Sequence, residues 1–154
     1  MTESLYSTKQ NLIQHCLALN SIKVEGISTA IDSLKEGQQN ETKSSAGDKF
    51  ETSREMMQAE IDKLQSQLGQ LLTDQRLLKL HSKLKEQEFC VDGSLVKTDR
   101  GTFLISVGLG RIKMDTETFF VISQNAPIAK PLLHLKTGDS FTFNNVNYEI
   151  TGTA

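Results

Sequence analysis

The sequence predicts an α+β chain: an N-terminal antiparallel coiled-coil helical hairpin followed by a small antiparallel β-sheet domain with one short helix. Three observations carry this. Two apolar stripes of helical period flank a polar, glycine-bearing stretch and mirror each other about it. From about Phe89 the apolar period changes from that of a helix to that of a strand. The composition is 37% hydrophobic and 6% aromatic with no Trp over 154 residues, which is thin for one compact globule and suits an elongated helical part beside a small core.

The hairpin is expected over residues 1–88, with helices at about 4–36 and 48–87 and a tip loop at 37–47. In the first helix Ile13, Leu17, Asn20, Val24, Ile27, Ile31 and Leu34 alternate steps of four and three, a heptad seam broken by one polar residue. The stretch from Lys35 to Gly47 is polar, holds Gly37 and Gly47, and carries no periodicity, so it reads as the loop. Beyond it Met57, Ile61, Leu64, Leu68, Leu71, Gln75 and Leu78 repeat the same steps. Paired antiparallel, Leu34 meets Met57, Ile31 meets Ile61, Asn20 meets Leu71 and Ile13 meets Leu78, and the numbers in each pair sum to 91 or 92. Each seam is roughly 33 Å long at the helical rise of about 1.5 Å per residue. Neither helix is stable alone, because a lone helix draws most of its stability from packing its apolar face.

The second unit is expected over 89–154. Gly93 to Thr98, Thr102 to Val107, Arg111 to Met114 and Thr118 to Ser123 read as strands, with Asp99-Arg100-Gly101 and Asp115-Thr116 as turns. Ala126 to Leu133 interrupts the series, and Pro127 suits the first turn of a short helix. Ser140 to Phe143 and Val146 to Ile150 flank Asn144-Asn145, residues that accept the left-handed backbone of a tight hairpin turn.

A net charge of −2 gives no bulk attraction for free nucleic acid or an anionic membrane. No apolar run approaches the ~20 residues of a membrane span, and the N-terminus lacks a signal-peptide pattern. Cys16 and Cys90 are far apart in sequence and form no CxxC pair, so a soluble, reduced, cytoplasmic protein is expected; a monomer is expected too, although the narrow stripes leave a wider bundle or a dimer open. His15, His81 and His134 make no zinc spacing with these cysteines, and a Cys–His acyl-transfer site needs a larger pocketed fold.

The acids Asp48 and Glu51 stand where the second helix begins. Read locally they are an N-cap and a third-position acid, a variant of the capping box that also complements the helix dipole. Read chemically, two acids three apart share one side of the first turn and could share a Mg²⁺, although Mg²⁺ takes further ligands from elsewhere. Lys43, Lys49 and Arg54 flank them. Arg76, Lys79, Lys83 and Lys85 make the far end of this helix basic, either as a solvated face or as a contact for an acidic surface or RNA.

Gly47-Asp48-…-Glu51 ahead of a long helix resembles the acidic Gly-Asp-x-x-Glu tip of bacterial Gre-type transcription elongation (transcript cleavage) factors. Independently, Ile122-Ser123-Gln124-Asn125-Ala126-Pro127-Ile128-Ala129-Lys130, then Leu132-Leu133 and Gly138-Asp139, is similar to the Ser-Pro-Ile-Ala-(Arg/Lys) signature of their C-terminal domain, and Tyr148-Glu149-Ile150 to its last strand. The resemblance implies an FKBP-like C-terminal fold. It also implies that the coiled coil enters the secondary channel of RNA polymerase, where Asp48 and Glu51 help hold a Mg²⁺ shared with the polymerase as it cleaves backtracked RNA at the nascent 3′ end. The chain would then be an accessory factor, not an enzyme, with no cofactor of its own. Pro127, Ile128 and Lys130 would dock on the polymerase, with Arg76, Lys79 and Lys83 as further contacts. The sequence departs from the pattern where the family continues Asn-Ala-Glu-Tyr and this chain has Thr52-Ser53-Arg54-Glu55. The alternatives are a secondary-channel inhibitor, a structural coiled-coil interaction module without cleavage activity, and a prolyl isomerase carried by the C-terminal unit.

Overall fold

The structure, a computed structural model, describes residues 4–42 and 47–154, with side chains outside 41–50. Two long helices, α1 (Leu5–Thr42) and α2 (Gly47–Ser82), precede six strands and one short helix: β1 (Leu95–Thr98), β2 (Gly101–Ser106), β3 (Gly110–Met114), β4 (Glu117–Ser123), α3 (Ala129–Leu132), β5 (Ser140–Phe143) and β6 (Val146–Thr153). The fold is α+β. The chain forms two compact units, Ala18–Gln75 and Met1–Leu17 with Arg76–Ala154. The division falls inside the helices instead of at residue 88, because the ends of α1 and α2 share a core with the sheet.

In the unit Ala18–Gln75 the seams pair as the spacing requires. Every seam position here is buried or half-buried, while most residues between them are exposed. Ile31 and Ile61, predicted partners, are the most enclosed, at 5% and 1% exposed. Asn20 faces Leu71, its Nδ2 donating to the Leu71 carbonyl at 2.9 Å.

The expected tip loop 37–47 is shorter than its composition suggests. α1 runs on to Thr42 and α2 begins at Gly47, so Lys43 to Ala46 lie outside the described residues. The seam explains the extension: the next steps are Gln38 on α1 and Arg54 on α2, and Gln38 Nε2 donates to the Arg54 carbonyl at 3.3 Å. Gly37 does not break the helix, and a Cβ there would make ordinary contact with Met57 at 3.5 Å. At its other end α2 stops at Ser82 instead of about 87. The Ser82 hydroxyl donates to the Lys79 carbonyl at 2.6 Å, a local bond that competes with the helical ladder, and Lys83 N–H turns back to the Leu80 carbonyl.

In the other unit the sheet order is β3-β4-β2-β1-β6-β5. All pairs are antiparallel except β2 with β4, which are parallel from Thr102↔Phe119 to Ser106↔Ser123. The expectation of a purely antiparallel sheet is corrected here. β3 and β4 form a hairpin placed beside β2 so that β4, not β3, lies next to it, and two reversals restore the direction of β2. Asp115 (φ 57°) closes that hairpin, and Asn144 and Asn145 (φ 50° and 64°) close β5–β6 in the left-handed conformation expected of them.

Both sheet faces are apolar, which is why β2 reads as a continuous buried run. One face packs Leu95, Leu104, Phe119 and Val121 against Leu12, Ile13, Cys16 and Leu78 of the helices. The other packs Val96, Phe103, Ile105, Phe141 and Ile150 against Leu132 of α3 and Cys90. Among the described residues no helix is long and apolar enough to cross a membrane.

Candidate functional site

The acid-bearing end of the hairpin is built by α2's first three turns and the last turns of α1. Asp48 lies on the first turn, one residue inside the helix, and its side chain lies outside the described residues, as do those of Lys43 and Lys49. Glu51 is exposed, as is Glu55 one turn on. The positions 48, 51 and 55 step by three and four, so their backbones share one face of α2. Glu55 thus joins the two acids that the sequence predicts, by the same spacing rule.

A fixed polar scaffold stands beside these acids. Gln38 Nε2 donates to Gln58 Oε1 at 3.1 Å as well as to the Arg54 carbonyl, and Gln58 Nε2 donates to Asp62 Oδ1 at 2.8 Å. Gln38, Glu51, Arg54, Glu55 and Gln58 line an open groove of about 400 Å³. Gln38 thus ties α1 to α2 within one turn of Glu51. The chemistry of the carboxylates suits a hard cation that takes oxygen ligands and keeps most of its water. No three described His, Cys, Asp or Glu residues are grouped to hold a metal ion among themselves.

The other predicted contacts fall in the sheet-bearing unit. Arg76 and Lys79 on α2 and Lys83 just past its end are all exposed, while His81 between them is buried. Pro127 and Lys130 are exposed and Ile128 is half-buried. Pro127 lies two residues ahead of α3, and Pro131 falls within the helix's first turn, where the missing N–H costs no hydrogen bond. Ala129 and Leu132 are buried. The structure does not bring these two groups together. The helix ends carrying Arg76, Lys79 and Lys83 cover one face of the sheet, and α3 with Ile128 packs on the opposite one.

One constellation has no counterpart in the sequence reading. His81 Nδ1 lies 2.6 Å from Ser106 Oγ, and its Nε2 lies 3.2 Å from Asp92 Oδ2. The order serine–histidine–aspartate is that of a hydrolase triad, but His81 and Ser106 are each 2% exposed, so no substrate reaches the hydroxyl. Burial dominates its titration and pushes His81 below its ordinary value, against the neighbouring Asp92 carboxylate, and the Lys9 charge pushes the same way as burial. The cysteines are likewise enclosed, with burial raising Cys16 to about 11 and Cys90 to about 12, which leaves both as inert core thiols.

Comparison with protein-family models, curated proteins and solved structures yields no match. The functional reading rests on the chain's own residues.

Proposed function

We propose that this chain is an RNA polymerase-binding elongation factor of the Gre type. The observation that carries the reading is the placement of Glu51: an exposed carboxylate at the turn end of an antiparallel helical hairpin, one turn from the Gln38 bond that ties the two helices together. A narrow two-helix probe of this kind reaches a confined active centre that a globular surface cannot.

In this reading the hairpin enters the secondary channel, and Asp48 and Glu51 stand at the polymerase's catalytic centre, with Glu55 one turn behind. The shared Mg²⁺, when bound there, supplies the Lewis acid and water activation of phosphodiester cleavage. The chain's own residues contribute negative charge, orientation and exclusion of bulk water. It performs no reaction alone. Arg76, Lys79 and Lys83 meet an acidic polymerase surface, while Pro127, Ile128 and Lys130 form a separate docking edge on the other sheet face. The protein acts in the cytoplasm as a monomer.

The segment Thr52-Ser53-Arg54-Glu55 favours a second reading, a channel-occupying inhibitor, because it places the Arg54 cation between the two glutamates and departs from the family's Asn-Ala-Glu-Tyr.

The test is a stalled, backtracked polymerase carrying end-labelled RNA in Mg²⁺. The wild-type chain is expected to shorten the RNA from its 3′ end, and Asp48→Asn with Glu51→Gln to abolish this while binding persists. Binding without cleavage by the wild type assigns the inhibitor instead. No binding leaves the hairpin a structural module.

A further inference from the structure

Beyond Ile13 and Leu78 the alternation of the seam leads to Gln10 and Ser82; one residue to the side of it, four back from Ile13 on α1 and three forward from Leu78 on α2, stand Lys9 and His81. Both are buried, Lys9 at 0% and His81 at 2% exposed, so the layer beside the end of the seam, against the sheet, is polar where core packing favours apolar.

The layer is incompletely satisfied. Lys9 Nζ is buried without a hydrogen-bond partner and lies 5.4 Å from the centroid of the Tyr6 ring. His81 bridges Ser106 of β2 and Asp92 of the turn before β1, but the second Asp92 oxygen, Oδ1, is buried without a partner. The layer admits little local slack: a Cβ at Gly93 would stand 2.8 Å from the His81 ring and 2.4 Å from Leu84. The groups facing it are therefore Lys9 and Tyr6 from α1, Glu86 from the segment after α2, Asp92 from the turn, and Ser106 from β2.

We infer that Lys9, His81, Asp92 and Ser106 form a proton-operated latch that holds the ends of α1 and α2 on the sheet while His81 is neutral and releases them when it is protonated. With His81 neutral, Lys9 is the cation of the layer among the described residues, balanced at a distance by Glu86. A second proton puts two cations in one dry layer, where repulsion is poorly screened. It also makes both ring nitrogens donors, which Ser106 and Asp92 can accept, so the sheet side keeps its bonds and the strain falls on Lys9 and hence on α1.

The sign follows from the titrations. His81 is pushed below its ordinary 6.5, so its contribution to stability is complete above that value and is lost as pH falls from 6.5 toward the folded value. Lys9 is pushed below 10.5, chiefly by burial, and thus also favours the latched state at higher pH. The inference does not depend on polymerase binding.

Hydrogen exchange of the full chain between pH 7.5 and 5.5, corrected for intrinsic rates, tests it. Residues 5–17 and 76–82 are expected to open more readily in acid, by up to about tenfold per pH unit for one proton, while β2 stays protected. Lys9→Met is expected to reduce this slope, and His81→Gln to flatten it. The His81 ring resonance of the wild type, which needs no variant, is expected to titrate below 6.5. A His81 titration at or above 6.5, acid opening of β2 together with the helix ends, or exchange that ignores pH overturns the latch.

Discussion

Replacing Asn20 by Leu is expected to stabilise the hairpin. Asn20 is 6% exposed in the seam, donates one 2.9 Å bond to the Leu71 carbonyl, and leaves its Oδ1 buried without a partner. The bond is worth about 1 kcal/mol net, and the orphaned oxygen costs about 1–3 kcal/mol. The Leu71 carbonyl lies within α2, where the helical ladder also serves it, so removing the amide leaves no new orphan. Leu has the branched outline of Asn and adds apolar burial beside the half-buried Val24 and Leu71, at roughly 25 cal/mol per Å². The balance is a gain of about 2 kcal/mol for Asn20→Leu, and Asn20→Ala, which relieves the same oxygen but leaves a cavity instead of an apolar contact, is expected to fall below it. Urea unfolding followed by far-ultraviolet circular dichroism reads this as a higher midpoint at unchanged slope. A lower midpoint for Asn20→Leu at unchanged slope refutes the argument, and shows that the asparagine contributes more than its single bond. A polar seam residue also specifies register, so the Leu variant is the one in which sedimentation would reveal self-association.

Ile61→Ala removes the most enclosed side chain of the shaft and is expected to cost about 2–4 kcal/mol in the same unfolding assay. Gly93→Ala places a Cβ 2.4 Å from Leu84 at a φ of +98°, and is expected to destabilise the sheet-bearing unit by more than about 2 kcal/mol, seen as a lowered thermal midpoint. Cys16 and Cys90, raised by burial to about 11 and about 12, leave a thiolate fraction of only about one in a thousand or less at pH 8. Alkylation of the native chain is accordingly expected to be slower than that of the urea-unfolded chain by at least a hundredfold, followed by mass spectrometry. Lys79→Glu with Lys83→Glu reverses two exposed positive charges and is expected to weaken polymerase binding about tenfold, more at low salt than at high, with no change in unfolding midpoint.

The seam was the most legible part of the chain. Its register follows from the steps between Ile13 and Leu34 and between Met57 and Leu78, because only antiparallel pairing about the turn buries both stripes, and the Asn20–Leu71 bond lies where that register puts it. The two ends differ from expectation for different reasons. At Gln38 and Arg54 the heptad continues in polar residues, so apolar periodicity stops where the packing does not, whereas beyond Ser82 local hydrogen bonds end α2 before its composition changes. Strand positions were legible from alternation and from turn residues such as Asn144-Asn145. The parallel pairing of β2 with β4 was not, since alternation tells which face a residue takes and says nothing of which strand lies beside it. Asp92 and Ser106 lie 11 and 25 positions from His81 and carry no local pattern, so only the fold could bring them to it. At the acidic end, Asp48 and Glu51 were visible as a motif, whereas the glutamine scaffold behind Glu51 depends on contacts between helices.

The central claim is that the acid-bearing turn stands at the polymerase's catalytic metal. The most direct measurement replaces Mg²⁺ by Fe²⁺ in a backtracked polymerase bound to the full chain and maps where locally generated hydroxyl radicals cut the polypeptide. Cuts confined to about residues 43–55 are predicted, and they should be lost when the chain is displaced. Cuts near α3 or the α2 C-terminus instead, or an intact chain in a complex that retains it, contradict the account.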